Sequence, residues 1–353
     1  MLIFLFASCI STIEIDTVPV NKILVVGSLI SPDTVFWCNV SKVYAVNDSN
    51  NHYIDNATVK IFDNASNALV CELNYDSAGV YRAANAYPEE GKEYRLEVSS
   101  DGFPSVTGVT QVPPRQEAES VSIIEEAGFE ALLNGDYSEL RWTINDKFET
   151  PNYYEVLFSS FSSSNFDLLM KWDHNEEIFL DDSVYNIEDA KLFSQYTIVD
   201  AVLNAENLMQ YNPSTLVFSD NLFDLQQHSF VARCDMLGGD AYAFQLFTLN
   251  ADLYKFRTTL MQHLYERGAK GISRFDDLAG LDFSSKAIDV FSNLTGGYGI
   301  FAGYSRQILF TKLVTVKKVA GGNEYFMQVS DCDTLADGRI LTFIDQTTNP
   351  YEN

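Results

Sequence analysis

Residues 23–46, ILVVGSLISPDTVFWCNVSKVYAV, decide the fold class: two short apolar runs, Ile23–Ile30 and Val35–Val46, rich in β-branched and aromatic residues, follow one another closely. The pattern repeats outward through ATVKIF from Ala57, ALVCEL from Ala68, EYRLEVSS from Glu93 and SVTGVTQV from Ser105, with the turn clusters NDSNN at Asn47 and EEGK at Glu89 between them. Many short strands at near-regular spacing, separated by turn chemistry, predict an antiparallel β-sandwich of immunoglobulin or transthyretin-like kind over residues 22–112. Pro113 and Pro114 end that pattern. Proline removes a ladder donor and stiffens the chain, so residues 113–118 are expected to be a linker between domains.

A second β region is expected over residues 119–313. In SELRWTIND from Ser138, Leu140, Trp142 and Ile144 alternate with polar residues, the pattern of a half-buried strand. ESVSIIEEA from Glu119 and YYEVLFSSFS from Tyr153 extend the series, and the strand and aromatic spacing resembles a fibronectin type III sandwich. The stretch from Asn165 to Ser219, with its acidic run EEIFLDD at Glu176, is less regular. One amphipathic helix stands out at about 251–267: Asn250 can cap it, Leu253, Phe256, Leu260 and Leu264 share a face, and Gly268 can close it. Its apolar stripe is expected to pack on the second sheet, with a partner surface as the other reading. Strands ILFTKLVTV from Ile308 and EYFMQVS from Glu324 lead into a C-terminal β extension over residues 314–353.

The chain has 353 residues, with 49 acidic against 23 basic side chains and a formal net charge of −26. Such a surface repels nucleic-acid phosphates and anionic lipid headgroups, so nucleic acid is not an expected partner. The 25 Phe and 19 Tyr favour strands over helices.

MLIFLFASC, residues 1–9, reads as the end of a lipoprotein signal peptide, an apolar core followed by small residues and a cysteine. The core is short and no Lys or Arg precedes Leu2, so a truncated signal peptide is expected at residues 1–8, lipidation at Cys9 and a tether over residues 9–21. The alternative is a buried first strand with an ordinary cysteine. A lipid-anchored chain is held by acyl chains without spanning the bilayer, and no later segment approaches the roughly 18 continuous apolar residues of a membrane helix. Of the remaining cysteines, Cys38 and Cys71 lie in strand-like runs of the same domain, where they are either a disulfide or two buried thiols.

The motif VFSNLTGGYGIFAGYS from Val290, with Gly296, Gly297, Gly299 and Gly303, resembles the C-terminal signature of the lipoproteins grouped as domain of unknown function 4249. The same order of features holds upstream: the lipobox cysteine, ILVVGSLISPDT, GKEYRLEVSSDGFP, the Pro pair, NYYEVLF and the LYKF helix. The resemblance covers most of residues 9–310. It implies a Gram-negative outer-membrane lipoprotein, held on the cell surface more than on the periplasmic face and encoded beside TonB-dependent transporters. It carries no catalytic residues.

Candidate sites are sparse. GGYGIFAG does not leave a strand and open a helix as a dinucleotide loop must, so its glycines are expected to serve bulges or close backbone approach. His52, His174, His228 and His263 are dispersed, without zinc spacing, and no nucleophile elbow occurs, so no catalytic residue, transition metal or cofactor is expected. Calcium is weighed at two loops, Asp48 and Asp55 with Asn47 and Asn50, then Asp331, Asp333 and Asp337 before Gly338, against solvated turns as the simpler explanation. Asp followed by Ser or Thr and an aliphatic or Ala residue, at Thr17, Thr34, Ser77, Ser183 and Thr334, looks like a bacterial O-glycosylation sequon, short enough to recur by chance. The expectation is a non-enzymatic accessory or ligand-capture lipoprotein beside a TonB-dependent transporter, with exposed aromatics stacking on glycan or peptide ligands. Its rival is a surface adhesin or structural coat lipoprotein that acts without a transporter, and a hydrolase is a third reading.

Overall fold

The computed structural model describes residues 22–44, 52–130, 135–147, 151–161, 184–186, 191–192, 196–198, 200, 202–203, 216–221, 223–224, 226–235, 241–266, 289–310, 313–319, 322–330, 340–342 and 344–345. The architecture is mainly β. Its first strands are β1 (Leu24–Ile30), β2 (Trp37–Lys42), β3 (Thr58–Asp63), β4 (Leu69–Ser77), β5 (Val80–Arg82), β6 (Glu93–Ser99) and β7 (Val106–Gln111). Next come β8 (Ala118–Glu130), β9 (Gly135–Asn145), β10 (Tyr153–Phe161), β11 (Val184–Asn186), β12 (Lys191–Leu192), β13 (Tyr196–Ile198), β14 (Leu216–Ser219), β15 (Gln227–Asp235) and β16 (Ala241–Leu249). Helix α1 (Ala251–Glu266) precedes β17 (Tyr298–Phe310), β18 (Leu313–Val319), β19 (Gly322–Ser330), β20 (Ile340–Thr342) and β21 (Ile344–Asp345).

Two large hydrophobic cores organise the described residues. In the first, alternate residues of β1 turn inward, so Leu24, Val26 and Ile30 meet Phe36, Val59, Ile61, Leu96, Val98 and Val106. In the second, Leu140, Trp142 and Ile144 of β9 face Tyr154, Val156 and Phe158 of β10, and the Trp142 ring stacks on Phe230 at 5.1 Å. A five-stranded sheet, β13-β15-β9-β8-β20, forms one wall of this core. The other wall belongs to a long sheet whose path, β12-β10-β16-β17-β1-β2-β5-β4-β3-β6-β7, continues into the first core.

The strand that joins the two is β17, and its sequence explains how. It pairs antiparallel with β16 through Tyr304–Phe310 and parallel with β1 through Tyr298–Gly303. Side chains alternate across a strand. On one face Phe301 enters the first core, Gln307 reaches the segment after the Pro pair, and Leu309 enters the second core. On the other, Ile300, Ala302 and Tyr304 pack with Leu249, Leu253 and Phe256 beneath α1. The segment leading into β17 also reaches the far edge of the first sandwich, where Thr295 and Thr107 exchange backbone hydrogen bonds of 3.0 and 2.8 Å.

The glycines of this motif meet neighbouring backbone, as expected of close approach. A Cβ on Gly299 would lie 2.0 Å from the Val26 carbonyl oxygen, and one on Gly303 would lie 2.2 Å from that of Gln111. Gly299 also holds a φ of +120°, which side-chain-bearing residues rarely adopt.

Residues 113–118 are tied down along their second half. The Gln116 amide donates to Thr248 Oγ1 (2.9 Å) and the Ala118 amide to Gln307 Oε1 (2.8 Å), both buried. Arg306 adds a further tie between the β1–β2 connection and strands β17 and β16, with Nε 3.1 Å from Asp33 Oδ2 and Nη1 donating to Gln245 Oε1 at 3.2 Å.

Helix α1 starts where its capping residue stands: Asn250 Oδ1 accepts from the Leu253 amide at 2.9 Å. Leu253 and Met261 are its most buried residues, and the helix packs against β17, β10 and β16. Among the described residues no helix is long and apolar enough to cross a membrane.

Candidate functional site

The ends of three strands converge on an acidic pocket at the rim of the second core. Asp146 follows β9, Asn152 precedes β10 and Asp220 follows β14, all three buried. Backbone pairing sets their positions. The Asp146 amide donates to the Gln226 carbonyl (3.2 Å) and the Asp220 amide to the Asn152 carbonyl (3.1 Å). A tight turn then carries the chain from Asp220 through Phe223 to Gln226, with 2.8 Å bonds from the Phe223 amide to the Asp220 carbonyl and from the Gln226 amide to the Phe223 carbonyl. That turn presents Asp224 at the pocket mouth, exposed to solvent.

One carboxylate oxygen from each of Asp146, Asp220 and Asp224 lies within 4.8 Å of the others. Among the described residues no other three His, Cys, Asp or Glu side chains come together in this way. Asn152 is the donor that tolerates two of these acids. Its backbone N–H gives Asp220 Oδ2 a 2.7 Å bond, and its side-chain amide donates to Asp220 Oδ2 (3.1 Å) and Asp146 Oδ1 (3.3 Å). Burial nonetheless pushes the Asp220 carboxyl above its ordinary value, and the nearby negative charges of Asp146 and Asp224 add to the rise against the Asn152 bonds.

Tyr154 completes the wall. It stands two residues after Asn152, so the two side chains leave the strand on the same side. Its ring packs on Phe218 at 5.4 Å and Phe223 at 6.2 Å, two residues before and three after Asp220. The Tyr154 hydroxyl is buried, within electrostatic reach of both Asp146 and Asp220, and has no hydrogen-bond partner among the described residues. Burial and those two charges push its proton affinity far up, so it keeps its proton and has a hydrogen bond to donate. Three acidic oxygens and an unused hydroxyl suit a hard, oxygen-seeking ligand.

The structure disperses the residues singled out from sequence. Asp55 is exposed on the first sandwich, away from the acidic pocket, and Asp48, Asp331, Asp333 and Asp337 lie outside the described residues. So do Cys9, Thr17, Ser183 and Thr334. Ser77 is exposed beside the tight turn at Ala78 and Gly79, open to modification. Thr34 must be withdrawn as a glycan acceptor, because its Oγ1 is sealed from solvent in this fold. The disulfide alternative for Cys38 and Cys71 is likewise overturned: both are free thiols. Cys38 sits on β2 and Cys71 on β4, with β5 between them in the sheet, and two strand spacings of about 4.8 Å exceed the roughly 7 Å Cα limit of a disulfide. The described histidines are separate: His52 stacks on Tyr44 at 3.5 Å, His228 contacts Asp200 at 3.0 Å and His263 lies in the last turn of α1.

The family model for the domain of unknown function DUF4249 matches residues 10–307. The chain belongs to the DUF4249 family. The matched span of this DUF4249 protein takes in the first core, all of the second but Leu309, the acidic pocket and the glycine-bearing start of β17. No curated protein matches the chain.

The acidic pocket escaped sequence reasoning because Asp146, Asn152 and Asp220 have no common local motif. The available signal was positional: each stands at the end of an aromatic-rich strand pattern, where a turn residue is unremarked.

Proposed function

We propose that this DUF4249 protein is a non-enzymatic lipoprotein of the outer-membrane surface, anchored through Cys9, that captures ligand beside a TonB-dependent transporter. The observation that carries the reading is the stretch MLIFLFASC followed by only a short tether before the first core strand at Leu24. Acyl chains on Cys9 would hold the folded body close to the membrane without help from its acidic surface, which repels anionic headgroups. Large aromatic side chains stand exposed on the first sandwich, Tyr44, Tyr53 and Tyr75 among them, each about half exposed, and such rings suit stacking on glycan or peptide.

The test is made in the native host. Intact-mass spectrometry should find the mature chain beginning at Cys9 with acyl chains attached, and Cys9→Ser should release the protein from the membrane fraction. Native pull-down should recover a TonB-dependent transporter component. Recovery of an unlipidated chain would overturn the anchor, and a lipidated chain that brings down no transporter while mediating cell attachment would favour the adhesin.

A further inference from the structure

We propose that Asp146, Asp220 and Asp224 form a binding site for a hard divalent cation of calcium size, with Tyr154 facing its coordination shell. The site is independent of the anchoring and transporter reading above.

The distances fit the ion. Calcium holds carboxylate and carbonyl oxygens at about 2.3–2.6 Å, so two ligands on opposite sides of one ion stand about 4.6–5.2 Å apart. The three carboxylate oxygens fall within 4.8 Å of one another, as ligands around a common centre do. The donor set is oxygen alone, with neither imidazole nor thiolate, which selects calcium or magnesium over zinc and copper. Magnesium demands near-ideal octahedral geometry and keeps most of its water, whereas a pocket walled by two buried acids and an aromatic core favours the larger, more accommodating ion.

The charges call for one. Asp220 is 1% exposed, and the charged groups acting most strongly on it are the carboxylates of Asp146 and Asp224. Buried carboxylates are normally paired with a cation or a metal. Asn152 gives hydrogen bonds but no charge.

Tyr154 supplies a second and separate pointer. A buried hydroxyl without a partner is rare, because the lost hydrogen bond costs about 1–3 kcal/mol. This one is shut inside the fold within electrostatic reach of two of the acids that would bind the ion, Asp146 and Asp220. A water molecule in the shell of a bound cation would accept its hydrogen bond. Since Asp146 ends β9 and Asp220 ends β14, an ion here would also tie together the two sheets that wall the second core.

The test uses the full chain, stripped with a chelator and titrated with calcium chloride by calorimetry, with terbium luminescence sensitised by the neighbouring aromatic rings as a second readout. The expected result is one tight equivalent of calcium, displacement of terbium by calcium, and a Tm rise of about 4–10 °C at saturating metal. Asp224→Asn, at the exposed mouth, should keep the chelated protein's Tm while weakening calcium at least about tenfold, a loss of one charged ligand. Tyr154→Phe should retain binding with reduced affinity. The proposal is overturned if calcium gives no heat and no Tm change. It is equally overturned if Asp224→Asn binds as tightly as the parent, since the metal would then be spread over the general acidic surface.

Discussion

Gly299 passes Val26 in parallel register so closely that a Cβ at position 299 would lie 2.0 Å from the Val26 carbonyl oxygen. No side-chain rotation relieves that contact, because both partners are backbone. Gly299→Ala is therefore expected to destabilise the protein by roughly 3 kcal/mol or more, through strain at positive φ added to the clash. Gly27→Ala, one residue along the same pairing with nothing within 4 Å of its Cβ, should change stability by about 1 kcal/mol or less. Urea unfolding of the two variants checks the contrast, and equal losses would refute the close-approach account.

Asn250 caps α1 and also reaches β7. Its Oδ1 accepts from the Leu253 amide, while its Nδ2 donates to Thr110 Oγ1 at 2.6 Å and to the Gln111 carbonyl at 3.2 Å. Asn250→Ala should cost about 2 kcal/mol, combining a lost cap with a lost tie to the first sandwich. Asn250→Ser keeps a capping oxygen but is too short for Thr110, so its cost should be about half as large. Equal effects would mean that only one of the two roles matters.

The β character was legible because it is written in local alternation: Leu140, Trp142 and Ile144 were expected to share a buried face and all three are buried. The helix was legible for the same reason, since Asn250 and Leu253 are neighbours in sequence. The glycine motif was legible only in part. Its sequence indicated close approach, but nothing near Gly299 names Val26, which lies more than 270 residues earlier and is reached by a parallel pairing that no local periodicity encodes. The acidic pocket was hidden for two reasons. Its members come from three strand ends, and with 49 acidic residues in the chain no individual aspartate is distinctive.

Glu155, on β10, is 3% exposed, with its Oε2 3.4 Å from Arg257 Nε. Burial pushes its carboxyl above the ordinary value of 4.5 and Arg257 offsets this only in part. A carboxyl that binds its proton more tightly in the folded state contributes stability that is fully present below pH 4.5 and is lost as the pH rises through the folded value. Glu155→Gln should therefore flatten the fall in Tm above about pH 4.5. Asp220 is shifted in the same direction, so a residual slope of the same sign should remain in chelated protein. Thermal melts across the pH range decide it, and a variant with an unchanged slope would refute the assignment to Glu155.

The two free thiols should report the packing of the first core. Burial raises the Cys38 thiol far above its usual value, and pushes that of the half-buried Cys71 up to about 11. Both should resist alkylation at about pH 8, where little thiolate is present. Cys71 should react first on mild destabilisation, and Cys38 only on global unfolding. Peptide mapping after timed iodoacetamide treatment gives the order. A pair that stays unmodified in denaturant until reductant is added would instead reveal a disulfide.

The parallel pairing of β1 with β17 has a mechanical consequence. Because β1 lies between β17 and β2, a pull entering the folded body at residue 22 runs along the strand axis. Both flanking ladders then take the load in shear, with several hydrogen bonds strained at once instead of being unzipped one by one. A body tugged through its N-terminal end would yield last at the strand that holds its two halves together.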